Sequence, residues 1–101
     1  MQRFSKSTVG DMGWSADFDK KAERDIARLP KVVRIRVLAR ISWLVENFDS
    51  IVPAPLHEEL RGQYKLRSGD YRAVYRIDYE KRVLRIDYVD NRSRVYKRKR
   101  K

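Results

Sequence analysis

Three cationic side chains and three tyrosines fall within one short segment, YKLRSGDYRAVY, at positions 64 to 75. The cations are Lys65, Arg67 and Arg72, and the central SGD has the composition of a tight turn. A hairpin needs no cations to form. Paired strands would bring Lys65 and Arg72 onto one surface with Arg92, which follows the last predicted strand. Because like charges at close range repel, a bound anion would stabilise them, and a phosphate diester is the natural candidate.

Each of these residues also has a simpler interpretation. Taken singly, the cations are a solvated sheet face with ion pairs that contribute little. Five tyrosines follow the period of two that strand packing requires, namely Tyr64, Tyr71, Tyr75, Tyr79 and Tyr88. Tyr96 lies past the last strand among charged neighbours, so its ring could stack on a base or its hydroxyl contact a phosphate. A lid on the sheet edge is the alternative for Tyr96.

Several kinds of site are excluded by composition. The chain has no cysteine and a single histidine, His57, which lies beside two glutamates in a proline-containing connector. No nucleophile or second histidine accompanies His57, so a solvated loop residue is the better interpretation than a general base. No metal-ligand spacing and no glycine-rich phosphate loop are present. We therefore expect neither a metal nor a cofactor.

The net charge of +11 points to a polyanionic partner. Residues 92 to 101 hold seven of the 25 cations and no acid, which leaves 18 cations against 14 acids in the rest of the chain. A basic tail alone is weak evidence of nucleic-acid binding, but the body remains cationic without it. No apolar run approaches the ~18 residues of a membrane span, and no signal peptide is evident. A cytoplasmic protein without membrane contact is expected.

Apolar spacing predicts one strand and two helices in the first half of the chain. Residues 12 to 18 alternate in polarity, as a half-buried strand does. Asp19 stands at a helix N-cap position, and Pro30 ends the short amphipathic helix that follows. A second helix starts near Lys31. Its apolar stripe consists of Val37, Ile41, Leu44 and Phe48, widened by Val33, Leu38 and Val45.

Three strand patterns follow a connector that contains two prolines, NFDSIVPAPLHEELRG. They cover Gln63 to Arg67, Tyr71 to Tyr79 and Val83 to Val89, with turns between them. In the third pattern Leu84, Ile86 and Tyr88 are expected on one side. The order β-α-α-β-β-β predicts an α+β fold, with two helices packed on one face of a mainly antiparallel sheet.

Two longer motifs carry a family resemblance. The segments LRGQYKLRSGDYRAVYRID and VLRIDYVDNRSRVY resemble the RelE/ParE superfamily of toxins from type II toxin–antitoxin systems. The resemblance extends over nearly all of residues 12 to 96 and is greater to the RelE branch, whose members cut mRNA on the ribosome, than to the ParE branch, which inhibits DNA gyrase. It implies a RelE-like toxin domain at 12–96, after a flexible lead-in at 1–11 and before a basic tail at 97–101.

The RelE pattern implies a catalytic set when it is carried over position by position. Arg72 resembles the arginine that stabilises charge on the scissile phosphate, and Arg92 the one that protonates the leaving 5′ oxygen or holds the phosphate. Tyr96 resembles the tyrosine that orients the substrate, and Lys65 one lysine of a basic pair. Gln63 stands where some relatives have the other lysine, the proposed general base, so the base remains unassigned.

Further expectations follow from the resemblance. Arg61 resembles an arginine that contacts RNA, and we expect Arg67 and Gln63 to bind RNA with it. The implied reaction is metal-independent attack of a 2′-hydroxyl on the adjacent phosphorus, in which fixed guanidinium groups stabilise the charged transition state. The incomplete acid–base set makes ribosome dependence plausible, because the ribosome would align the mRNA.

The resemblance also implies partners, and two other functions remain open. The partners are the ribosome, mRNA and a cognate acidic antitoxin, with which the toxin forms a hetero-oligomer. The first alternative is a ParE-type inhibitor of DNA gyrase, in which the basic residues serve a protein interface. The second is an RNA-binding module without catalytic activity, to which Gln63 gives some weight.

Overall fold

Both predicted helices are present, and each begins where its sequence signal indicates. The computed structural model describes residues 3–5, 13–57 and 60–95. Helix α1 spans Lys20–Ala27, and the Asp19 carboxylate caps it by accepting the Lys21 amide at 3.0 Å. Helix α2 spans Lys31–Asn47, directly after Pro30, and a 3₁₀ turn continues it. No described helix has the length and apolar character needed to cross a membrane.

The strands form one six-stranded sheet of mixed direction. They are β1 (Arg3–Ser5), β2 (Ser15–Phe18), β3 (Ala54–His57), β4 (Leu60–Ser68), β5 (Tyr71–Asp78) and β6 (Val83–Asn91). Their order across the sheet is β1-β2-β6-β5-β4-β3. All neighbouring strands are antiparallel except β2 and β6, which are parallel. The α+β class and the mainly antiparallel sheet are as the sequence predicts.

Three elements were not expected from the sequence. Strand β1 falls in the segment predicted to be a flexible lead-in and pairs with the outer edge of β2. Strand β3 falls in the proline-containing connector, where Pro55 is tolerated because β3 is an edge strand. Helix α3 spans Arg92–Val95 beyond the last strand. All three are too short to produce a readable period, and pairing or packing stabilises them.

The main core lies between the two long helices and one face of the sheet. Helix α2 contributes Val37, Ile41, Leu44 and Val45, which are all buried, as its predicted stripe requires. Residues from β2, β4, β5 and β6 complete this core; they include Ala16, Leu66, Ala73, Tyr75, Leu84 and Ile86. We call the opposite side of the sheet the outer face. Four buried residues form a second cluster there, namely Leu56, Val74, Tyr88 and Val95.

A bulge in β6 explains why Tyr88 is not on its predicted side. Val74 pairs with Tyr88, whereas Tyr75 pairs with Ile86, so Asp87 is an extra residue in β6. The extra residue reverses the alternation. Leu84 and Ile86 therefore face the helices, while Tyr88 faces the outer side. The prediction that these three residues share one side is wrong for Tyr88.

Helix α1 supplies a hydrogen-bond acceptor to the free edge of β6. Strand β2 pairs with β6 only from Val83 to Ile86. Beyond that point the Asp25 carboxylate accepts the Val89 amide at 3.0 Å. This contact stabilises α1 on the sheet just after the bulge.

We expect Asp25→Ala to lower the free energy of unfolding by about 1–3 kcal/mol, because it leaves the half-buried Val89 amide without this acceptor. Urea denaturation measures the change. Asp25→Asn keeps a side-chain oxygen and should retain much of the stability. Equal urea midpoints for Asp25→Ala and the unsubstituted protein would contradict the assigned role.

Candidate nucleic-acid site

The register of β4, β5 and β6 puts the hairpin cations on the outer face. Residues directly opposite each other in antiparallel strands point to the same side of the sheet. Lys65 lies opposite Val74, which is buried on the outer face, and Arg67 lies opposite Arg72. Gln63 follows the same alternation and is half-buried. Lys65 and Arg72 thus share one surface, as the strand pattern predicts, and Arg67 lies on the same surface.

Helix α3 brings Arg92 to the same end of the hairpin. The Arg92 amide donates a hydrogen bond of 2.8 Å to the Asp70 carbonyl, in the turn that joins β4 to β5. Arg72, two residues after Asp70, lies opposite Asp90, two residues before Arg92. Positions 72 and 92 therefore flank one turn. Arg72 and Arg92 thus lie at the same end of the sheet.

Two contacts hold α3 against the outer face. The Val95 side chain is fully buried in the cluster with Val74 and Tyr88. The Tyr88 hydroxyl also donates a hydrogen bond of 3.3 Å to the Val95 carbonyl. Because Tyr88 reaches the outer face through the bulge in β6, the bulge and the position of α3 are physically linked.

Ion pairs neutralise the cations at the end of the outer face that lies away from the β4–β5 turn. The Arg76 guanidinium binds both oxygens of Asp87, with distances of 2.9 to 3.1 Å. The hydrogen bond to Asp87 raises the pKa of Arg76 above its usual value. Arg85 lies within 4.0 Å of Asp17 and Asp78. These guanidinium groups have carboxylate partners and are poorly suited to bind an anion.

In the part of the chain that the structure describes, three arginines beside the β4–β5 turn do not have the carboxylate partners that Arg76 and Arg85 have. Arg72 Nη1 donates to the Gly69 and Tyr71 carbonyls, at 2.9 and 3.0 Å, which are neutral acceptors, and Arg72 forms no ion pair among the described residues. Within the described ranges, the Arg67 and Arg92 guanidinium groups make no hydrogen bond or ion pair. The Asp90 carboxylate binds Arg94 at 3.2 Å. Excess positive charge therefore remains around the β4–β5 turn.

A cleft of about 430 Å³ opens beside these cations. Its lining includes Arg40, Trp43, Val52, Lys65, Arg67, Arg72 and Tyr75. The Tyr75 side chain is buried, and burial raises the pKa of its hydroxyl well above the usual value, with smaller effects from Tyr64 and Tyr79. The Tyr75 hydroxyl therefore stays protonated at neutral pH and cannot serve as a base.

Not every predicted site residue lies within the described structure. Arg61 belongs to β4, but its side chain lies outside the described residues, and so does all of Tyr96. His57 is the last residue of β3, which is a strand where the sequence predicted a loop. No cluster of three potential metal ligands occurs among residues 3–5, 13–57 and 60–95.

Sequence reasoning missed Arg40 and Trp43 as residues of this site. Both belong to α2, and the spacing of α2 places them outside its core stripe without indicating any contact with the hairpin. Arg40 Nε donates a hydrogen bond of 3.1 Å to the Arg67 carbonyl. That contact joins residues 27 positions apart, so no local pattern could reveal it.

We expect Tyr88→Phe to lower the free energy of unfolding by about 1 kcal/mol, because the buried Val95 carbonyl loses a donor. Amide hydrogen exchange of residues 92–95 should become faster, since α3 is held less firmly. Tyr79→Phe is the matched control, because the Tyr79 side chain is 66% exposed. Unchanged exchange in α3 would show that the Tyr88 hydroxyl does not hold it.

Comparisons with known proteins agree with the fold and with the sequence motifs. Residues 16–96 match the family described as "ParE toxin of type II toxin-antitoxin system, parDE". Toxin RelG of Mycobacterium tuberculosis is 33% identical over 87 residues, which cover 86% of this chain and 100% of RelG. Toxin RelE of the same organism is 32% identical over 76 residues, 75% of this chain and 78% of that toxin.

Solved structures give the same result. A chain of the toxin–antitoxin complex RelBE2 from Mycobacterium tuberculosis has a TM-score of 0.69 and 33% identity, covering 80% of this chain and 93% of that one. The isolated E. coli toxin RelE has a TM-score of 0.62 and 26% identity, covering 78% of this chain and 83% of that one. This chain belongs to the RelE/ParE superfamily of type II toxin–antitoxin toxins, in its RelE branch.

Proposed function

We propose that this toxin is an endoribonuclease that cleaves mRNA on the ribosome and thereby inhibits translation. The observation that carries the proposal is the gathering of Lys65, Arg67, Arg72 and Arg92 around the β4–β5 turn. Among the described residues Arg67, Arg72 and Arg92 form no ion pair, unlike Arg76 and Arg85 at the other end of the outer face. A phosphodiester is the anion that such a set of fixed donors would bind.

The proposed chemistry is internal phosphoryl transfer. The 2′ oxygen attacks the adjacent phosphorus, the 5′ oxygen leaves, and the nonbridging oxygens gain negative charge in the transition state. Arg72 and Arg92 would stabilise that charge from either side of the turn, with Lys65 beside them. Removing one such fixed donor typically reduces kcat by about 10²–10³-fold.

Three residues would serve the proton transfers and orient the substrate. Arg92 would donate a proton to the leaving 5′ oxygen or hold the phosphate, and Tyr96 would orient the substrate. Lys65 is the candidate to accept the 2′-hydroxyl proton, since Gln63 has no basic group. With so sparse an acid–base set, we expect alignment of the mRNA by the ribosome to supply a large part of the rate enhancement.

We also propose that a cognate antitoxin binds this toxin as a hetero-oligomer and silences it. Solved relatives include toxin–antitoxin complexes, among them RelBE2 of Mycobacterium tuberculosis and E. coli RelE bound to a peptide of antitoxin RelBc. The cations beside the β4–β5 turn favour an acidic partner, because charge complementarity speeds association.

Substitution of the two turn arginines tests the catalytic proposal. We expect Arg72→Ala and Arg92→Ala each to reduce cleavage of mRNA on programmed ribosomes by about 10²-fold or more, through loss of charge stabilisation. Mapping of RNA breaks during in vitro translation measures this. Arg24→Ala removes the same charge from an exposed position on α1 and should cleave normally.

Unchanged cleavage in both variants would remove the assigned roles of Arg72 and Arg92. The matching family is described as the ParE toxin, so a supercoiling assay with DNA gyrase is the second arm of the experiment. We expect no inhibition of supercoiling by the purified toxin. Inhibition without RNA breaks would favour the ParE-type function. RNA binding without breaks would favour an inactive binding module.

A further inference from the structure

Trp43 is a large aromatic side chain that α2 leaves 41% exposed at the cleft beside the turn cations. The Arg40 guanidinium lies over its ring, 4.5 Å from the ring centroid. We propose that Trp43, positioned by Arg40, is a stacking platform for a nucleobase of the RNA whose phosphodiester binds at Arg72. This inference rests on the proposed endoribonuclease function and adds a base-binding subsite to it.

A chain of short contacts fixes the platform relative to the phosphate site. Arg40 Nε donates to the Arg67 carbonyl at 3.1 Å, and Arg67 lies directly opposite Arg72. Opposed residues of an antiparallel pair have Cα atoms about 4.5–5.5 Å apart. The Trp43 ring is therefore separated from Arg72 by one cation–π contact, one hydrogen bond and one cross-strand pair.

The cleft reaches both sides of the sheet because β4 is partly unpaired at its edge. Strand β3 pairs with β4 only as far as Lys65, which lies opposite Ala54. No described strand covers Leu66–Ser68 on that side, and the cleft forms there between α2 and the start of β3. Its lining includes Leu44 and Leu66 from the helix side and Lys65, Arg67 and Arg72 from the outer side. A nucleotide could thus present its phosphate to the outer face and its base to α2.

The composition of the cleft favours a nucleotide over an uncharged ligand. Four of its lining residues are cationic, namely Arg40, Lys65, Arg67 and Arg72, and none is acidic. Exposed aromatic rings and guanidinium planes beside a cationic groove are the usual means of holding single-stranded RNA bases. The volume of about 430 Å³ lies within the range of roughly 300–1,000 Å³ found for small-ligand sites.

A double-mutant cycle between the side chain and the base tests the platform. Ribosomes are programmed with mRNA that carries an abasic nucleotide beside the cleaved bond, at either flanking position in turn. We expect Trp43→Ala to reduce kcat/KM on intact mRNA by about ten-fold, as the loss of one stacked base implies. At one of the two positions, the abasic nucleotide should lower kcat/KM of the unsubstituted toxin by about the same factor. It should lower kcat/KM of Trp43→Ala little, because that variant has already lost the stacking interaction.

Two variants separate stacking from a structural effect. Trp43→Phe keeps an aromatic face and should restore most of the activity. Ile35→Ala changes another exposed apolar residue of α2, 55% exposed and outside the cleft, and should behave as the unsubstituted toxin. Two results would overturn the proposed stacking role of Trp43. One is a normal kcat/KM of Trp43→Ala on intact mRNA, and the other is an equal loss of kcat/KM on abasic mRNA in Trp43→Ala and in the unsubstituted toxin. Loss of activity in Arg72→Ala would still support the proposed function.

The remaining outcomes also decide the inference. If the toxin does not cleave, the same cycle is measured by its affinity for the programmed ribosomes. Coupling between Trp43 and the base then supports the platform without catalysis, and absence of RNA-dependent binding overturns both proposals. Affinity for the antitoxin, taken as the protein encoded beside the toxin gene, is measured in parallel. If Trp43→Ala weakens only that affinity, Trp43 belongs to the antitoxin surface and the platform is overturned.

Discussion

The hydrogen bond from the Arg92 amide to the Asp70 carbonyl is the contact on which the candidate site depends. It joins the end of β6 to the β4–β5 turn. Two cationic segments that are distant along the chain, the β4–β5 hairpin and the start of α3, therefore form one surface. The hydrogen bond fixes the start of α3 beside Arg72, and the Val95 and Tyr88 contacts hold the rest of the helix on the outer face. The bond involves main-chain atoms at both ends, so many side chains at 70 and 92 would be compatible with it. The local geometry is therefore set by the backbone, and the charge by the side chains that it carries.

The bulge at Asp87 is the second constraint, because it divides β6 into two functional halves. Before it, Leu84 and Ile86 complete the core under the helices. After it, Tyr88 turns to the outer face, where it packs with Val74 and Val95 and holds α3. The Asp87 side chain itself binds Arg76 and neutralises the far end of that face. One inserted residue thus both anchors α3 and neutralises Arg76 at the far end of the outer face.

The fold was largely predictable because its long elements carry strong periodic signals. Helix α2 buries an apolar stripe, the sequences of β4 to β6 alternate in polarity, and Asp19 and Pro30 mark helix boundaries by local chemistry. Strands β1 and β3 and helix α3 were missed, because three or four residues cannot display a period. The face of Tyr88 was also wrong, since an alternating pattern says nothing about where a bulge interrupts it.

The sequence by itself determined which residues have the chemistry for an anion site, since Lys65, Arg67, Arg72 and Arg92 lie in the two motifs that resemble the RelE/ParE superfamily. Hairpin register also follows from sequence, because the turn is short and pairing is local. The tertiary structure alone decided which arginines form ion pairs, because a pair such as Arg76 with Asp87 depends on the register of the whole strand. It alone brought Arg40 and Trp43 of α2 to the cleft, since helix packing joins residues that no sequence period connects.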